Sequence, residues 1–213
     1  MPKLRFNISV SIDGYVAGPE PSAQDPLGKG GEGLHEWVVT LQSWREAHGL
    51  EGGVANDDDK VLREWTTNAG ATIMGRNMFG GQPGPWDELE PWGGWWGESP
   101  PFKHPVLVLT HHARDPLEFA NGTSFTFVTE GIEAALEQAR EAAGPADVVI
   151  GGGADIAGQY LAAGLIDEME LHIVPLLLGG GARLFEGVGT DLGGLGLERT
   201  VQGDSVVHLK LRR

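Results

Sequence analysis

The sequence predicts one α/β domain spanning residues 1–213, and three observations predict it. The run Asp147-Val148-Val149-Ile150 passes through Gly151-Gly152-Gly153 into a helix over roughly Asp155 to Ala163, then into a long strand from Glu168 to Leu178. That is a strand, helix, strand unit of the crossover type. Val106 to Thr110 is hydrophobic without interruption, as in a central strand covered on both faces. No internal repeat or linker divides the chain, which at 213 residues and 40% hydrophobic content can bury a core of its own.

The elements follow in order. From Lys3 to Ile12 apolar residues alternate with polar ones, the period of a strand with one buried face. Asp13-Gly14 breaks it in a tight turn, and Tyr15-Val16-Ala17 resumes as a short extended piece. Gly18 to Gly33 is turn chemistry throughout and reads as a long surface loop. Leu34, Trp37, Val38, Leu41 and Trp44 share one helical face, which predicts an amphipathic helix with Glu36, Arg45 and Glu46 off that face. Asn56 and Asp57-Asp58-Asp59 suit an N-cap and first turn, with Val61, Leu62 and Trp65 as the apolar side of the helix they open. The acidic triplet is read as that helix start rather than a metal site, since it lacks the spacing of a calcium loop. A short apolar run, Ala71 to Met74, ends in Gly75-Arg76, and an irregular stretch from Gly80 to Pro101 follows. Phe125 to Val128 is a strand, and Ile132 to Ala143 a helix stopped by Gly144-Pro145. Leu195 to Val201 and Ser205 to Leu211 form a hairpin around Gly203-Asp204.

Composition removes several function classes. With 15 Lys+Arg against 30 Asp+Glu, the formal charge of −15 argues against nucleic-acid binding. The absence of cysteine excludes disulfides, thiolate catalysis and cysteine-ligated metals. No apolar run reaches the about 18 residues of a membrane span, and no export signal precedes the first strand, so a soluble cytoplasmic protein is expected. His35 opens an H-E-x-x pattern, but Val39 stands where a zincin needs its second histidine, and no metal is expected.

Three segments at predicted strand ends carry anion-binding chemistry. The glycine run followed by a helix puts bare backbone at a strand's carboxyl end and at a helix N-terminus, which suits a pyrophosphate. It matches neither the Rossmann fingerprint nor a P-loop, and the same glycines would also let the helix pack closely on the sheet. Asp155 counts against a phosphate there unless its side chain points away. Gly75-Arg76-Asn77-Met78 supplies a fixed positive charge, and Thr110-His111-His112-Ala113-Arg114 a hydroxyl, two imidazoles and a guanidinium. Each arginine alone would read as a surface residue, whereas the three segments together suggest an elongated ligand with several phosphates.

Taken with Ser11 to Ala17, Met74 to Phe79, Pro105 to Thr110, Ile150 to Gly153, Leu165 to Glu168 and Pro175 to Gly179, the ordered set resembles the dihydrofolate reductase-like superfamily. Within it, the set is similar to the branch containing the reductase domain of riboflavin biosynthesis, the RibD C-terminal domain. The resemblance implies a mostly parallel central sheet flanked by helices, ending in the antiparallel hairpin, with NADPH extended across the strand ends. It places the pyrophosphate at Gly151, Gly152 and Gly153 with the helix starting near Asp155, joined by Arg76 and Asn77, and extends the cofactor-binding set to Gly75, Met78, Ile150, Ala154 and Ile156. Thr110, His111 and Arg114 match the segment around the adenosine 2′-phosphate, and Val16 and Ala17 the loop near the nicotinamide. Asp13 is the candidate catalytic residue, orienting a polar substrate. The implied reaction is hydride transfer to a small heterocyclic or ribosylated substrate, in a protein expected to be a homodimer.

Two departures qualify this. The carboxylate that folate enzymes carry after the first strand has no clear counterpart, because residues 18–56 form a larger insertion, and Glu36, nearest by order, reads better as solvated. The zinc deaminase that accompanies the riboflavin reductases cannot exist here without cysteine, so a reductase module alone is expected. Dihydrofolate reductase activity and a non-catalytic binding protein on the same fold stay open. Trp37, Trp44 and Trp65 are expected in the core, whereas Trp86, Trp92, Trp95 and Trp96 either line a pocket or bury themselves in a dimer contact.

Overall fold

A computed structural model describes residues 2–22, 24–80, 84–86 and 92–213. The stretch from Gly80 to Pro101 therefore lies partly outside the described residues. The chain opens with β1 (Leu4–Ser11) and β2 (Tyr15–Ala17), then a 3-10 turn (Gly31–Leu34) and the helices α1 (Glu36–Val39), α2 (Gln42–Ala47) and α3 (Asp57–Thr66). Next come β3 (Ala69–Gly75), α4 (Arg76–Phe79), β4 (Pro105–Leu109), β5 (Leu117–Glu118), β6 (Ser124–Val128) and α5 (Ile132–Ala143). The remainder is β7 (Asp147–Gly152), α6 (Ala154–Ala162), β8 (Glu168–Val174), β9 (Ala182–Arg183) and the hairpin β10 (Gly196–Gln202) and β11 (Val207–Arg212).

Among the described residues, nine strands form one sheet in the order β10-β11-β8-β1-β7-β3-β4-β6-β5. The six from β8 to β6 are mutually parallel, and the antiparallel pairs lie at the two margins. The predicted crossover is present, but β7 and β8 flank β1 rather than each other. Period-two alternation sets the layers. Leu4, Phe6, Val10, Ile73, Leu107, Ile150 and Met169 face a continuous apolar core under α5 and α6. The opposite face is divided: Met74, Val106, Val108 and Phe125 meet an aromatic layer that includes Phe79, Trp86, Trp92 and Trp96, whereas Arg5, Ser9, Glu168, Glu170, His172 and His208 form a buried polar layer.

Two expected elements are corrected, and a third is borne out. The single helix over Leu34 to Trp44 is a 3-10 turn and two short helices, because Leu41 is extended (ψ 146°). Val54 holds it there: Gln42 N donates to Val54 O at 3.0 Å and Val54 N to Thr40 O at 3.0 Å. The apolar stripe still works, since Leu34, Trp37 and Leu41 are buried. The strand expected to run to Leu178 stops at Val174, where Pro175 brings no N–H to a ladder. Tyr15 to Ala17 pairs with β9 outside the main sheet. α5 keeps its predicted bounds, with Gly144 at φ 58° closing it, and Asn56 caps α3 by accepting from Asp59 N at 3.0 Å.

Candidate functional site

Parallel strands bring their carboxyl ends to one edge, and registration aligns them. Met74 lies opposite Gly152, and Gly75 opposite Leu109, which pairs with Val128. The exits of β7, β3, β4 and β6 thus form one row, about 14 Å across at normal strand spacing. After β3 the chain moves outward to β4, and after β7 it crosses the other way to β8, so the connections diverge between β3 and β7. A crevice at such a divergence is where open α/β sheets take ligands.

At that point β7 ends in the glycine turn. Gly152 has φ 126°, and the Gly152–Gly153 peptide is cis. A Cβ on Gly153 would meet no described atom within 4 Å, and no side chain among the described residues caps α6. The first backbone N–H groups of that helix, from Ala154 to Ile156, therefore face an open approach with the positive end of the helix dipole behind them. Asp155 does not block it: the carboxylate accepts from Gln159 Nε2 at 3.1 Å, one turn along the helix. Met78 lies against the turn, since a Cβ on Gly152 would come within 3.3 Å of its sulfur.

Other members of this set pack rather than face a ligand. Ile150 is fully buried in the core under α5 and α6. A Cβ on Gly75 would come within 2.7 Å of Ile156 Cγ1, so that pair lets α6 approach β3, as the close-packing alternative expects for a glycine. Asn77 is exposed at the rim.

The two arginines, drawn from different predicted subsites, meet at one ring. The Arg76 guanidinium lies 3.0 Å from the Trp86 ring centroid and that of Arg114 4.7 Å from it. Burial lowers the pKa of both, and the charge of Arg114 lowers that of Arg76 further. Thr110 Oγ1 accepts from His112 N at 3.2 Å and shapes the turn, which leaves His111 exposed on the edge.

Beyond β1, Asp13 accepts from Ser11 Oγ at 2.6 Å, Leu178 N at 3.2 Å and Gly179 N at 2.8 Å. The Ser11 hydroxyl leads these donors in holding its pKa down to about 2. The carboxylate thus ties the β1–β2 turn to the chain after β8, and three of about four acceptor positions are taken. Val16 points into the core, so only its backbone and neighbouring Ala17 can line a site. Glu36 is exposed, as the solvated reading expects.

The sequence reading passes over one strand-exit glycine and leaves one tryptophan between two readings. Gly131 (φ 95°) precedes α5 at the β6 exit without a side-chain cap among the described residues, repeating the grammar of the glycine turn with one glycine. Trp86 had a composition signal, its Gly/Pro-rich surroundings, but nothing local that ties it to either arginine.

Comparison with known proteins agrees with this architecture. The family model for the RibD C-terminal domain matches residues 2–209. A riboflavin biosynthesis protein of Shewanella sp. PV-4 superposes with a TM-score of 0.62 at 21% identity, covering 99% of this chain and 98% of that one. The Thermotoga maritima diaminohydroxyphosphoribosylaminopyrimidine deaminase/5-amino-6-(5-phosphoribosylamino)uracil reductase gives 0.54 at 13% identity, over 99% of this chain and 56% of that one. Dihydrofolate reductase from Enterococcus faecalis, complexed with NADP(H), gives 0.52 at 15% identity, over 99% and 96%. Among curated proteins no sequence matches. The fold is dihydrofolate reductase-like, and the chain belongs to the RibD C-terminal domain family.

Proposed function

We propose that the chain is an NADPH-dependent reductase of the riboflavin-pathway type, acting on a small heterocyclic or ribosylated substrate such as 5-amino-6-(5-phosphoribosylamino)uracil. One observation carries this reading: bare backbone at 153–156 opens at the point where the β3 and β7 connections diverge, beside the exits that bear Arg76, His111 and Arg114. An acidic chain gathers cationic and N–H donor groups on one edge, which fits a ligand with phosphates spaced along it.

In this reading the N–H groups of Ala154 to Ile156 hold the pyrophosphate, with Gly151 to Gly153 admitting its close approach. Arg76, Thr110, His111 and Arg114 take the 2′-phosphate end. Ala17 and the backbone of Val16 border the nicotinamide, and Asp13 orients a polar group of the substrate with its remaining acceptor position. When bound, the cofactor supplies a hydride; the chain's part is to place the acceptor carbon and exclude water. Family resemblance adds a single domain, a homodimer and a cytoplasmic location to the proposal.

A fluorescence titration with NADPH and NADH tests it. Micromolar binding that favours NADPH is expected, and Arg76→Ala with His111→Ala should weaken NADPH by about 1.5–3 kcal/mol while affecting NADH less. Absence of binding by either cofactor would overturn the reductase reading. Turnover of dihydrofolate but not of the pyrimidine would transfer it to the folate enzymes.

A further inference from the structure

We propose that Trp86 is a positioning residue: its indole gathers the Arg76 and Arg114 guanidinium groups and thereby sets the preference for a ligand carrying the 2′-phosphate over one without it. The inference rests on the assignment of the strand exits made above. Arg76 Nε donates to Gly80 O at 3.2 Å, but the two arginines leave different strands, β3 and β4, and like charges repel, so a shared contact is needed to hold both at one place. The negative face of an indole does so, and tryptophan is the strongest side chain for it. Arg76 Cζ lies 3.0 Å from the ring centroid, and Arg114 Cζ lies 4.7 Å from it and 4.9 Å from the Phe127 ring.

The indole is itself held. Its Nε1 donates to His112 O at 2.7 Å, and its ring meets Phe79 and Phe127 edge to face at 5.8 and 5.0 Å. The ring is therefore attached to the loop that carries Thr110 and His111, and displacing it would disturb both cations and that loop together. Contact with a π face leaves in-plane N–H groups of the Arg114 guanidinium for an oxyanion. Arg114 uses Nη1 on Trp92 O at 2.6 Å, and the rest of its fork has no hydrogen-bond partner among the described residues. Arg114 also makes no ion pair among them, in a chain with twice as many acids as bases.

The test compares two probes that differ by one phosphate, adenosine 2′,5′-bisphosphate and adenosine 5′-monophosphate, by calorimetric titration of the wild type, Trp86→Leu and Trp86→Phe. Trp86→Leu should lower the ratio of affinities for the two probes about tenfold, and Trp86→Phe should recover part of it. In an Arg76→Gln, Arg114→Gln background, Trp86→Leu should change the ratio no further. Equal weakening of both probes would assign Trp86 to packing alone and overturn the inference while leaving the cofactor reading intact. A wild type with no preference between the probes would overturn the assignment of this edge, and the inference with it. Should Trp86→Leu not fold, Trp86→Phe decides: an unchanged ratio overturns the role.

Discussion

The glycine-rich edge at β7 and β3 and the buried face of β1, β8 and β11 are both polar, yet they are polar in opposite ways. On the buried face almost every charge has a side-chain partner. Trp65 Nε1 donates to Glu170 Oε2, Arg199 joins Glu170 at 3.3 Å and Glu64 at 2.8 Å, and Glu168 takes Lys3, Arg5 and Lys210. Asp58, His208 and His172 form a chain of hydrogen bonds at 2.8 and 2.7 Å beneath Trp37. At the edge the donors are backbone N–H groups with no side chain seated on them among the described residues. Polar groups that satisfy one another hold elements together; polar groups left facing an opening can hold a ligand. The difference separates a structural layer from a site without appeal to residue type.

Removing a member of the paired layer should damage the fold and spare the edge. Glu170→Ala would leave the buried Trp65 N–H without an acceptor and take from Arg199 one of its two carboxylate partners, at a cost of about 3 kcal/mol. Urea unfolding measures that loss, and NADPH affinity of the folded protein should stay within about twofold.

Acid should act on the same layer. Burial, with smaller repulsion from His208 and His35, lowers the pKa of His172 to about 3 from 6.5, so folding keeps it neutral. Because the folded pKa is below the unfolded one, the unfolded state binds the proton preferentially between those values. Stability is therefore lost as pH falls from about 6.5 toward 3, by up to about 1.4 kcal/mol per pH unit from this residue. His172→Gln should flatten that part of the pH–stability curve, and an unchanged slope would show that the acid response lies elsewhere.

At the edge the converse holds. Gly153 has φ −87° and open space where a Cβ would stand, so Gly153→Ala should change stability by less than about 0.5 kcal/mol. The methyl group would occupy the approach to the helix N-terminus and weaken NADPH at least about tenfold. A variant that binds NADPH as tightly as the wild type would mean that the phosphates lie elsewhere.

Much of this was legible from the chain alone. The bounds of Ile132–Ala143, the Asn56 cap and the alternation of Leu4 to Val10 come from local propensity and period, which the folded protein keeps. Asp58 and Asp59 were legible as a first turn, but not as partners of His208 and of Ser43 N, which lie far away or in another element. The predicted site segments do reach one edge. Their division into facing and packing members was not readable, because Ile150, Gly75 and Ile156 are set by the approach of α6 to the sheet.

Sequence by itself determined which residues alternate, where helices are capped and which strand ends carry glycine and arginine, since these depend on neighbours within a few positions. Tertiary structure alone decided that Val54 breaks a helix at Leu41, that histidines 172 and 208 meet in the dry, and that Trp86 contacts two guanidinium groups. Those outcomes depend on which distant surface covers a side chain, and a local period specifies only the side to which it points.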